Sequence, residues 1–107
     1  MSSFDKREEG FEKKYALDEE QKFKAEARRN RLLGMWVAEK LGKTGDDATA
    51  YAKEVVAADF EEAGDGDVVR KVLGDLTAKG IAMTEPQLRA KMDELTATAV
   101  MQVKAGT

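Results

Sequence analysis

Three short runs hold residues in an order that can do chemistry. Gly42-Lys43-Thr44 ends like a phosphate-binding loop, where backbone N–H groups and a lysine cradle phosphates. That loop requires another glycine where Val37 stands, and a strand before it, whereas the flanking pattern is helical. What remains is a helix N-terminus at 44–47, whose free N–H groups either meet an anion or are capped by Thr44. Asp65-Gly66 sits as in a calcium loop, yet Glu61, Ala63 and Val72 occupy the first, third and twelfth ligand positions, so the loop is rejected. Carboxylates are plentiful, but paired acid–base catalysis needs a cleft and shifted proton affinities, which no spacing marks. With no Cys and no His, the common zinc sites, a thiol nucleophile and an imidazole base are gone. A non-enzyme without cofactor or metal is expected; weak nucleotide binding has no specific motif behind it.

Two other groups of residues suit binding. Lys22, Lys24, Arg28, Arg29 and Arg31 form the densest basic cluster, interleaved with Glu19, Glu20 and Glu26. Such a cluster is a solvated helix face, a docking face for an acidic protein through Lys24, Arg28, Arg29 and Arg31, or a nucleic-acid-binding helix over Lys22–Arg31. In the first 17 residues, Phe4, Phe11 and Tyr15 fall within about 20° of one line on a helical wheel. Asp5, Lys6, Arg7, Lys13 and Lys14 occupy other faces. Gly10 costs such a helix about 1 kcal/mol relative to Ala, and one this short is marginal in water. Residues 1–17 therefore read as a mobile arm that becomes helical when a groove accepts its aromatic strip, or as a fifth element packed on the chain's own core.

The elements behind these residues are helices. Asp18 caps the first, with Gln21 closing the box; its inward side carries Phe23, Ala27, Leu33, Val37 and Leu41, joined by Leu32 and Trp36, and Gly42 stops it. Thr44 caps a second, with Ala48, Tyr51, Ala52, Val55, Val56 and Phe60 inward. After the turn at 64–67 a third runs from Asp67, burying Val68, Val69, Val72, Leu73 and Leu76, to Gly80. Thr84, Pro86 and Gln87 start the fourth, which buries Leu88, Met92, Leu95, Ala99 and Val103. No strand pattern competes. The expected fold is all-α, a compact four-helix bundle over 18–107 with helices near 18–42, 45–63, 67–79 and 85–105.

Composition agrees with one small soluble domain. The 107 residues are 42% hydrophobic, enough for a modest core, and 36% charged, which suits exposed helix faces. No apolar run approaches a membrane span, so direct membrane insertion is not expected. No disulfide is possible, and a cytoplasmic protein, monomeric when free, is expected.

The order of the residues adds a family resemblance. Phe4-Asp5-Lys6-Arg7-Glu8-Glu9, Phe11-Glu12-Lys13-Lys14-Tyr15, Asp18-Glu19-Glu20 and the run FKAEARRNRLLGMWVAEKLG at 23–42 are similar to the zeta subunit family, inhibitors of the F-type ATP synthase of alphaproteobacteria. YAKEVVAADFEEAGDGDVVRKVL at 51–73 and LRAKMDELTATAV at 88–100 extend the similarity along the chain. The resemblance implies a four-helix bundle with a protruding N-terminal arm. It implies that the arm inserts at an alpha/beta catalytic interface of the F1 sector, contacts the rotating central stalk (the gamma subunit) and prevents ATP hydrolysis by blocking rotation. Inhibitory residues would then lie within 2–15, with Phe4, Phe11 and Tyr15 as anchors and Lys6, Arg7, Lys13 and Lys14 meeting acidic groups or helix ends. The protein would act at the cytoplasmic F1 sector of the membrane-bound synthase, with no nucleic-acid partner. Weak nucleotide binding is suspected of the family as well. The alternative function, from a different class, is a small helical nucleic-acid-binding module.

Overall fold

In the computed structural model, which describes residues 15–59 and 65–106, four helices follow one another: α1 (Glu19–Lys40), α2 (Gly45–Ala58), α3 (Gly66–Ala78) and α4 (Glu85–Lys104). Among the described residues there is no strand, and no helix is long and apolar enough to cross a membrane. The stretch 60–64, including the expected inward Phe60, lies outside the described residues.

The helix ends follow from local chemistry. At Asp18 the side chain accepts from Gln21 N at 2.7 Å, while Asp18 N donates to Gln21 Oε1 at 3.2 Å, so two otherwise orphaned donors are satisfied. The same reciprocal box forms between Thr84 and Gln87, with Pro86 in the first turn, where its missing N–H costs nothing. Past α1, Gly42 takes φ +78° and Lys43 N donates to Ala38 O at 2.9 Å, a closure that favours glycine at that position. Thr44 departs from expectation. It stands at the N-cap of α2 but its side chain caps nothing; Asp47 N donates instead to the Thr44 carbonyl at 3.1 Å. Asp46 and Asp47 still complement the positive end of the helix.

The main core is formed by Leu33, Val37 and Leu41 of α1 and its end, Tyr51 and Val55 of α2, Val68, Val72 and Leu76 of α3, and Leu88 and Met92 of α4. Each such aliphatic contributes roughly 1.5–3 kcal/mol by leaving water. Helix α1 is central, packing most extensively on α2 and α4. Gly34 permits the close approach to α2: a Cβ there would lie 2.6 Å from the Ala52 Cα.

The first half of α1 presents a different face from the one the sequence pattern predicts. Ala25, Arg29, Leu33 and Val37 form the buried line, flanked by Asn30, Gly34 and Ala38. Phe23 is 60% exposed and Ala27 only half-buried. The close helix contacts here require small residues, and the Phe23 ring cannot fill a site sized for Ala25.

Candidate functional site

Of the arm residues, Phe4, Asp5, Lys6, Arg7, Phe11, Lys13 and Lys14 lie outside the described residues. Tyr15 is described, and it is half-buried against a small apolar cluster of Leu17, Ala25, Val100 and Val103. Leu17 is itself buried. The packed unit therefore takes in Tyr15 and Leu17, two residues that the sequence pattern assigns to the arm. A single leucine before a cap shows no periodicity, which is why it escapes a pattern search. Between them Ala16 takes φ +54°, the left-handed region that a side chain ordinarily avoids, at a cost of roughly 1–2 kcal/mol. Tyr15 and Leu17, on either side of Ala16, are thus both held on the helical body.

The basic cluster divides by helix position. Lys24 is exposed and pairs with Glu20 at 2.9 Å, and Arg31 is exposed. Arg28 donates to Gln102 Oε1 at 3.4 Å, reaching from α1 to α4. Arg29 does not belong on a docking face. It falls in line with Ala25 and Leu33, is only 8% exposed, and its Nε donates to Asn30 Oδ1 at 3.1 Å. Asn30 is fully buried, and its Nδ2 makes no close hydrogen bond, only a loose approach to the Asp59 carboxylate. Across from them, at the end of α2, burial raises the proton affinity of Asp59, and the nearby Arg29 and Asn30 offset this only in part.

A groove lies between α1, α2 and the end of α4. One depression of about 310 Å3 is lined by Arg31, Thr49, Ala52, Lys53, Val56 and Ala57. A second, of about 490 Å3, is lined by Lys24, Ala27, Arg28, Arg31, Val56, Val103 and Gly106. Arg31 and Val56 belong to both. Lys53 carries no distinctive pattern in the sequence, since it lies on α2, away from the dense basic run.

On the opposite side, Tyr51 Oη donates to Asp75 Oδ2 at 2.7 Å, and Lys71 Nζ bridges Asp75 and Glu54 at 3.2 Å each. The Lys71 ammonium also stands 5.1 Å from the Tyr51 ring centroid. Burial, helped by Asp75, pushes the Tyr51 hydroxyl far above its usual range. Burial alone would lower Lys71, but its bonds to Glu54 and Asp75 prevail and hold it charged. Both groups are thus locked in one protonation state and suit cross-helix fastening rather than proton transfer. Asp65, from the rejected calcium loop, accepts from Arg89 through both oxygens at 3.2 and 3.3 Å, tying the start of α3 to α4. Among the described residues, no group of three or more acidic side chains is placed to hold a metal.

Comparison with known proteins agrees with this all-helical frame. A family model described as ATPase inhibitor subunit zeta matches residues 1–102. A structure titled "Solution NMR structure of the protein" is 60% identical, with a TM-score of 0.69, over 79% of this chain and 96% of that one. No curated protein sequence matches the chain.

Proposed function

The chain belongs to the ATPase inhibitor subunit zeta family, and from that premise we propose how it inhibits. The N-terminal arm inserts at an alpha/beta catalytic interface of the F1 sector and meets the gamma subunit of the central stalk. Lodged there as a helix, it blocks rotation and so prevents ATP hydrolysis. The protein takes no catalytic part itself, needs no cofactor, and acts at the cytoplasmic face of the synthase.

The observation that carries this reading is the extent of the family match, which runs through the arm from its first residue. A second supports it: from Tyr15 onward the four helices already bury one another's apolar faces. Phe4 and Phe11 then supply anchors at helical spacing beyond Tyr15, which is packed at the root, and Lys6, Arg7, Lys13 and Lys14 supply charges for acidic groups or helix C-termini. Ordering a short arm on contact costs about 2–5 kcal/mol of the gross contact energy. That cost suits a reversible brake.

The test is truncation. Removing residues 2–14 while keeping Tyr15 should leave the thermal transition within a few degrees of the full chain and abolish inhibition of ATP hydrolysis by purified F1 sector. Equal inhibition by the shortened protein would exclude the arm from this role.

A further inference from the structure

The geometry points to a second attachment: the groove between α1, α2 and the end of α4 seats an acidic amphipathic helix of the F1 sector. This rests on the inhibitor reading above and names a surface on the helical body, separate from the inserted arm.

Charge is the first ground. The chain carries a net charge of −3, yet Lys24, Arg28, Arg31 and Lys53 line the two depressions; the nearest carboxylates, Glu26 and Asp59, line a smaller depression that adjoins them at Ala27 and Val56. Arg31 and Lys53 are exposed and form no ion pair among the described residues; Lys24 has only the exposed Glu20. Shape is the second. Ala27, Ala52, Val56, Ala57 and Val103 make a floor of small apolar side chains, shallow enough for the apolar stripe of a helix to lie along it. Cations on either side of such a floor steer an acidic helix in and set its direction. Position is the third. Val103 lines the groove and packs against the same Leu17, Ala25 and Val100 cluster as Tyr15, so a helix seated there lies near the root of the arm. Grip at one point then raises the effective concentration of the arm at the other.

The same charges disfavour other occupants. A two-fold contact between two copies would set like cations against each other. Residues 1–14 carry Lys6, Arg7, Lys13 and Lys14 against Asp5, Glu8, Glu9 and Glu12, so their side chains offer no net negative charge.

The experiment titrates full-length protein into purified F1 sector and follows both binding and ATP hydrolysis. The doubly reversed variant Arg31→Glu/Lys53→Glu should bind about ten-fold more weakly, with its inhibition curve displaced by the same factor. A control, Lys43→Glu/Lys79→Glu on the α2/α3 side, should bind within about two-fold of the parent. The weakening should persist when residues 2–14 are also removed. Unchanged affinity of the Arg31/Lys53 variant overturns the groove and leaves the arm mechanism standing, as does an equal loss in the control. A weakening that vanishes without residues 2–14 would assign the groove to the arm and overturn the proposal. So would a salt-sensitive nucleic-acid gel shift, or a dimer, abolished by the same two substitutions. If the parent protein neither binds nor inhibits, both readings fall together.

Discussion

Replacing Gly34 with alanine sets two effects of known size against each other. In a helix interior alanine is favoured over glycine by about 1 kcal/mol, so an unobstructed exchange would stabilise α1. Here the new methyl carbon would sit 2.6 Å from Ala52 Cα, 3.1 Å from Ala52 Cβ and 3.3 Å from Val55 Cγ2. The nearest of these is backbone and cannot rotate away. Relief requires α1 and α2 to part by about 1 Å along their most extensive contact, and overpacking of this kind costs typically about 1–3 kcal/mol, more when backbone must move. The net expectation is a loss of about 1–2 kcal/mol, which lowers the midpoint by roughly 5–15 °C in a domain this small. Gly74→Ala supplies the internal reference. It also lies within a helix, nothing stands within 4 Å of its would-be Cβ, and it should gain about 0.5–1 kcal/mol. Thermal and urea unfolding followed by circular dichroism at 222 nm read both variants. If Gly34→Ala melts at or above the parent while Gly74→Ala behaves as stated, the close approach of α1 to α2 is refuted.

Two further substitutions probe the polar groups. Tyr51→Phe keeps the ring under the Lys71 ammonium but deletes the 2.7 Å bond to Asp75, and should cost about 1–2 kcal/mol in urea unfolding; a neutral result would mean that the bond adds nothing to the α2–α3 contact. Asp59 binds its proton more tightly in the folded chain than in the unfolded one, so its contribution to stability grows as pH falls from neutral through the folded-state value and levels off below the unfolded value near 3.8. Asp59→Asn should therefore raise the midpoint at pH 7 by a few degrees and remove that part of the pH dependence. An identical slope in parent and variant would show that burial does not penalise the carboxylate.

What the sequence makes legible is whatever its local chemistry decides. The boxes at Asp18 and Thr84, and the stop at Gly42, need only neighbouring residues to form, and they are found where the pattern places them. Most buried residues of α2, α3 and α4 follow apolar periodicity, with Val55, Val72, Leu76 and Met92 all inside, but Val56, Leu73, Leu95 and Val103 are only half-buried and α4 buries Thr96 and Val100 instead. The errors fall where tertiary contact overrides composition. Arg29 and Asn30 are polar and yet buried, because the register set by Leu33 and Val37 carries them inward. Phe23 points out because that register excludes it. Lys53 joins the groove only because α1 and α2 lie close, and that closeness depends on Gly34, a residue whose type gives no hint of its neighbour. The arm residues before Tyr15 stand on sequence and family alone.

The bend at Ala16 bears on how such an inhibitor would carry load. A helix cannot pass through a residue with φ of +54°, so Ala16 sets a kink between Tyr15 and the rod beginning at Glu19. Torque from a turning shaft would bear on that joint before it reached the body of the protein, and the tucked Tyr15 and Leu17 would serve as its cleats. Stiffening or loosening this single residue would then alter how hard the brake holds under rotation, separately from how tightly it binds at rest.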